Sequence, residues 1–117
     1  MATARQKYIS RVLARKYGLV GRVAGRYVEA GYSVELFHPT RLGPLHILAH
    51  KGNGIIAIEV FNKGLVTLDA VKSLHEKSKL VKARPVVLLY GNSVGLSSEA
   101  ESYCRENGVK IRRLRAE

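Results

Sequence analysis

Residues Gly43 to Lys63 read GPLHILAHKGNGIIAIEVFNK, and this stretch decides the architecture. Two short apolar runs, residues 45–49 and 55–60, flank Lys51-Gly52-Asn53-Gly54. Asn-Gly between alternating apolar runs predicts a tight hairpin, because that turn needs positive φ at both central residues. The second run ends in Glu59-Val60-Phe61-Asn62-Lys63, one carboxylate at the rim of an otherwise apolar strand. An acid in that position is either a site residue or a solvated strand end.

Upstream, Tyr8, Ile9, Val12, Leu13, Val20, Val23, Ala24, Tyr27 and Val28 recur at three- and four-residue steps. That stripe predicts a helix over about residues 4–30, interrupted near Gly18 and stopped by Gly31. A short strand over 34–37 follows, and Pro39 and Pro44 keep the next segment irregular. Downstream of the hairpin, Thr67 is a good N-cap and Asp69 suits the first turn of a second helix ending near Leu80. The run PVVLLY (85–90) has the continuous apolarity of a strand buried on both faces. Residues 91–95 read as a loop, and Ser98 with Glu101 as the capping box of a third helix to about Asn107. Gly108 ends that helix, and residues 109–114 read as an edge strand. The order αβββαβαβ packs economically as one α/β domain, a mixed sheet with helices on both faces and PVVLLY near its centre.

The chain has 117 residues, enough for one core but not two. Twenty Lys and Arg against nine Asp and Glu give a formal charge of +11 and a pI near 10.2. The excess is clustered: Arg5, Arg11, Arg15, Arg22 and Arg26 fall on the polar side of the first helix, with Arg41 beyond it. Arg112, Arg113 and Arg115 crowd the C-terminal end. Such clustering favours a polyanion, and a nucleic-acid backbone is the commonest one. No apolar run is long enough to cross a bilayer, which argues against a membrane partner. The basic N-terminus lacks the apolar core of a secretory signal. The single Cys104 permits no internal disulfide and no cysteine-based zinc site, so a reducing, cytoplasmic setting is expected. There is no Gly-x-Ser-x-Gly elbow, and the glycine-rich turns lack the Lys-Ser/Thr of a P-loop. Among the tyrosines, Tyr17 and Tyr32 are the best candidates for contact with bases.

A helix ending in Gly-Tyr, a strand, the 43–63 hairpin, then helix, buried strand, helix and strand resembles the restriction-endonuclease-like (PD-(D/E)XK) superfamily. The similarity is greatest to archaeal Holliday-junction resolvases and RecB-type or Mrr-like nuclease domains. It covers residues 9–114 and implies a single nuclease-like domain, with the basic helix at about 4–30 and the core at about 32–114. The family's chemistry implies an aspartate on the first hairpin strand, Glu-x-Lys on the second and a further acid on the first helix. Those acids hold Mg²⁺ or Mn²⁺, which activates water for phosphodiester cleavage. This chain departs from that pattern. His46 stands at the aspartate position, Glu59 matches the second acid, Phe61 replaces the lysine, and Gly21-Arg22 fall where the helix acid belongs.

One carboxylate is a poor magnesium site, since a hard cation wants several oxygens. A His46–Glu59 pair completed by His38 or His50 would suit a softer metal, with Lys63 reaching in from two residues on. The competing expectation is His46 hydrogen-bonded in place and Phe61 as packing. The favoured function is therefore a catalytically inactive binder of DNA or RNA that needs no cofactor. It would grip backbone through the five helix arginines, Arg41, Lys51, Asn53, Lys63, Arg112, Arg113 and Arg115, as a ribonucleoprotein component or an inactive resolvase paralogue. The alternatives are an active metal-dependent endonuclease using Glu59, His46 and Lys63, and a non-catalytic protein–protein subunit or homodimer.

Overall fold

The structure is a computed structural model that describes residues 2–115. Its spine is β3 (Gly54–Phe61), which pairs antiparallel with β2 (Leu45–Lys51) and parallel with β5 (Arg84–Tyr90). β1 (Ser33–His38) extends the sheet beyond β2, and β7 (Lys110–Leu114) lies parallel to β5, giving the order β1-β2-β3-β5-β7. Period-two alternation along β3 sends Ile56, Ile58 and Val60 to one face and Ala57, Glu59 and Phe61 to the other. On the first face they pack with Val23, Ala24 and Tyr27 of α1 (Ala4–Glu29). On the second, Leu48, Ala57, Val87 and Leu89 pack with α2 (Leu68–Leu80) and α3 (Ser98–Asn107). The predicted α/β domain with helices on both faces is the observed one, and β5 is buried from Val86 to Tyr90 as its apolarity requires.

Two short strands were not foreseen. β4 (Gly64–Val66) and β6 (Val94–Leu96) pair in parallel as a separate two-stranded sheet, so the segment after Asn92 is not all loop. Each is three residues long, too short for alternation to reveal. The hairpin turn also differs. Lys51 pairs with Gly54, leaving Gly52-Asn53 as the two central residues, and the positive φ (60°) falls on Gly52. Glycine in the first central position is the requirement of a type II′ turn, so the hairpin stands on Gly-Asn rather than Asn-Gly. The third helix is capped one residue earlier than predicted. Ser97, not Ser98, accepts from the Ala100 N–H at 3.1 Å. Thr67 caps α2 as expected, and Gly108 closes α3 at φ 69°.

The largest departure is in α1. Gly18 (φ 62°, ψ −133°) breaks the helix into arms 4–17 and 19–29, and the chain reverses there. The arms run back to back: Leu13 lies against Gly21, Ser10 against Gly25, and Ser10 Oγ donates to Glu29 Oε2 at 2.7 Å. In a straight helix residues eight apart would sit about 12 Å from each other. A side chain at Gly21 would instead place its Cβ 1.9 Å from the Leu13 carbonyl oxygen. Gly21-x-x-x-Gly25 is therefore a strip without side chains along which the outer arm lies on the inner one. The inner arm is buried on the sheet through Val23, Ala24 and Tyr27, and the outer arm adds the part-buried Leu13.

Candidate functional site

Strand pairing brings the two hairpin candidates together. The pair Ile47–Ile58 places His46 beside Glu59, and His46 Nδ1 lies 3.1 Å from Glu59 Oε2. The same Nδ1 accepts the Val60 N–H at 2.9 Å. Imidazole nitrogen has one in-plane lone pair. With that lone pair taken by Val60, the 3.1 Å approach of Oε2 to Nδ1 is a close polar contact. Burial pushes the Glu59 carboxyl above its ordinary range, against the opposing pull of His46 and Lys77. Lys77 of α2 is 3.8 Å from Glu59 Oε1, beyond hydrogen-bond reach, and donates instead to the Pro44 carbonyl at 3.0 Å. Glu59 Oε1 is consequently buried without a hydrogen-bond partner.

The surroundings of Glu59 do not suit a divalent cation. Phe61, Ala70, Ser73, Leu74 and Lys77 line the small depression beside it, so an aromatic ring and an ammonium stand where a hard cation needs oxygens. No third His, Cys, Asp or Glu joins the His46–Glu59 pair among the described residues. His38 is engaged with Glu35 at the sheet edge. His50 is exposed near the hairpin end of β2, opposite Ile55. Neither supplies the third ligand considered above. Lys63 is exposed in the turn before β4, and the cation that pairs with Glu59 is Lys77. Sequence spacing had no means of finding Lys77, which arrives from α2.

The sign of Glu59's effect on stability follows from its raised carboxyl. Folding favours the protonated form, so stability is greatest below the ordinary value of 4.5 and falls as pH rises through the higher folded value. Glu59→Gln keeps the shape of the side chain and removes the buried charge. Thermal melts from pH 4 to 8 should show the variant gaining on the native protein as pH rises, with its advantage largest at the alkaline end. A variant that instead lost stability at pH 8 would mean an ionised Glu59 held by Lys77.

Positive charge gathers elsewhere, on the α1 face of the sheet. Four adjoining depressions share walls there. The first lies between the α1 arms, lined by Arg11, Arg22, Arg26 and the chain's Glu29. Arg26 leads into the second, which adds Tyr27, Tyr32 and Arg112. The third adds Arg84 and Lys110, and the fourth adds Lys51 beside Tyr32 and Arg84. Glu29, bonded to Ser10, is the one acid among these lining residues. Strand register assembles the far half. Ile56 pairs with Arg84 and Val86 with Lys110, and even-numbered positions of β7 face α1. Arg112 accordingly lies over the Tyr27 ring at 5.5 Å, and its guanidinium donates to Tyr27 Oη at 3.4 Å. Lys51 Nζ lies 5.1 Å from the Tyr32 ring centre and donates to Ala30 O.

This swath and the His46–Glu59 pair occupy opposite faces. Ile56 and Glu59 are three residues apart, about 10 Å along the strand, and point opposite ways. Of the residues predicted to bind, Arg11, Arg22, Arg26, Lys51 and Arg112 lie in the swath. Arg5 and Arg15 are exposed on the outer arm, Arg41 in the β1–β2 turn, Asn53 at the hairpin tip and Arg115 beyond β7, all outside its lining. Arg113 points to the other face, where its guanidinium donates to Gly91 O (2.6 Å) and Val94 O (2.8 Å) and holds the β6 loop. Arg84 and Lys110 were not foreseen as binding residues. Period-two alternation through 110–114 is the signal that separates Lys110 and Arg112 from Arg113.

Three solved structures share this fold. A repair endonuclease from Pyrococcus abyssi superposes over 98% of this chain with a TM-score of 0.63 and 15% identity. The fold is restriction-endonuclease-like. EndoMS, in a complex with dsDNA, carries the same nuclease fold over 98% of this chain (TM-score 0.59, 19% identity). A protein of unknown function matches 78% of it (TM-score 0.63, 14% identity). The chain spans 48%, 46% and 54% of those chains respectively, so this nuclease-like domain corresponds to about half of each. No protein-family model matches the chain. No curated protein sequence matches it significantly. Among the described residues no helix is long and apolar enough to cross a membrane.

Proposed function

We propose that this chain binds nucleic acid through phosphate contacts on the α1 face and does not cleave it. The observation that carries this reading is the continuous basic swath, lined by Arg11, Arg22, Arg26, Arg112, Lys110, Arg84 and Lys51, with Glu29 the one acid among its described lining residues. An even scatter of cations would serve only solubility, whereas a connected one lowers the free energy of a backbone along its length. EndoMS is seen with dsDNA on the same fold, which makes duplex DNA the natural first ligand to test. The His46–Glu59 pair supports the second half of the proposal. The ring nitrogen that faces Glu59 is already engaged by the Val60 N–H, and the space the family's lysine would fill is lined by Phe61.

Binding to a labelled duplex should weaken steeply with salt, log K falling against log[salt] by about 0.9 per phosphate contact. A curve that barely moves between about 0.05 and 0.2 M salt would remove the swath as the binding surface. The second half has its own test. Duplex, branched and single-stranded DNA should survive incubation with Mg²⁺ or Mn²⁺, and cleavage abolished by Glu59→Ala would overturn it.

A further inference from the structure

We infer that the third depression of the swath, at the N-terminal ends of β5 and β7, accepts one unstacked nucleotide. Its base would lie against Tyr32, Ile56 and Pro85, and its phosphate among Arg84, Lys110 and Arg112. This rests on the binding function proposed above and adds what a backbone contact does not need, a seat for a base.

The cleft has two unlike sides. One is apolar and aromatic: Tyr27, Tyr32, Ile56, Pro85 and Val86 line it. The other carries three cations from two adjacent strands, Arg84 from β5 and Lys110 and Arg112 from β7. A phosphate-only surface would have no use for the apolar half, and an apolar ligand would have none for three cations. A nucleotide has both chemistries, a flat base with π faces and an anionic phosphate. The volume, about 370 Å³, falls in the range of about 300–1,000 Å³ usual for small-ligand clefts.

The two tyrosines divide the work. Tyr27 is buried and holds Arg112, through ring contact and hydrogen bond, at the cleft wall. Tyr32 meets the Tyr27 ring at 81°, with centroids 5.4 Å apart, which fixes its plane. It also borders three of the four depressions, so it is the aromatic surface a ligand reaches. Stacking on such a ring tolerates any base, because every base has a π face. The cleft therefore selects for an unpaired position in a strand without selecting its sequence. Gly108, in the left-handed conformation that ends α3, forms part of the rim beside Lys110 and has open space where a side chain would lie.

The test uses the full chain and three ligands: dTMP, inorganic phosphate, and a 5′-phosphorylated duplex with one unpaired terminal nucleotide. Titration by NMR should show dTMP shifting the Tyr32 ring and Ile56 methyl resonances and binding at least about tenfold more tightly than phosphate. The overhang duplex should bind more tightly than its blunt counterpart by a similar factor. Tyr32→Leu should erase both preferences while retaining phosphate affinity, and Tyr32→Phe should keep them. Lys110→Ala should weaken dTMP and phosphate alike. Equal affinity for dTMP and phosphate with Tyr32 unmoved would overturn the base seat while leaving salt-dependent duplex binding intact. Equal binding of blunt and overhang duplexes would show that only the free mononucleotide is taken and would overturn the strand-borne reading.

Discussion

Gly21→Ala should detach the outer arm of α1 and destabilise the protein, although alanine is the better helix former. In an open helix that exchange gains about 1 kcal/mol. Here the new Cβ would sit 1.9 Å from the Leu13 carbonyl oxygen and 2.6 Å from its carbon. Both are main-chain atoms, so relief requires the outer arm to move as a body. Overpacking of this kind costs about 1–3 kcal/mol and sometimes more, enough to reverse the sign of the propensity effect. Gly25→Ala should cost less. Its Cβ would meet the Ser10 hydroxyl at 2.4 Å, and the Ser10 main chain only at 3.1 Å. Urea unfolding should rank native above Gly25→Ala above Gly21→Ala. Trypsin should cut Gly21→Ala first at Arg5, Lys7, Arg11 or Arg15. A Gly21→Ala protein stabilised by the full propensity increment would mean the arms do not touch. The functional consequence is direct, because the first depression of the swath lies between the arms and loses Arg11 if they part.

How much of this was legible beforehand depends on the range of the physics involved. The β2–β3 hairpin, the buried β5 and the Thr67 and Gly108 caps are set by neighbours a few residues away, and periodicity and turn chemistry report them. The His46–Glu59 contact was legible for the same reason, since a hairpin fixes which residues face each other. What escaped is long-range. The reversal at Gly18 looks in sequence like a helix with an awkward glycine; only the joint presence of Gly21 and Gly25 hints that another segment lies on them. Lys77 reaches Glu59 from a helix whose docking angle no local pattern encodes. Arg84 sat unnoticed before Pro85 because its partners, Ile56 and Lys110, are supplied by register across three strands. Arg112 and Arg113 looked equivalent as charges and became opposites once alternation assigned them to different faces.

That difference of face permits a sharp test of where nucleic acid lies. Arg84→Glu with Lys110→Glu should reduce duplex affinity by about a hundredfold at about 0.1 M salt, and lower the log–log salt slope by about 2. The estimate comes from counterion release, about 0.9 decade per lost contact between 1 M and 0.1 M, before any repulsion from the new carboxylates. Both side chains stand at the sheet rim and are exposed, so the fold should survive. Lys79→Glu with Arg105→Glu makes the same change in net charge on α2 and α3, across the sheet from the swath. If bulk charge alone attracted the duplex, the two pairs would weaken it equally. If the α1 face is the surface, the second pair changes affinity by no more than severalfold and leaves the slope alone, since at about 0.1 M salt a field is screened within about 10 Å. Equal losses from both pairs would sink the assignment of the interface to the α1 face. A loss confined to Arg84 and Lys110 would place the phosphate chain across the ends of β5 and β7, on the face of the sheet that Glu59 does not share.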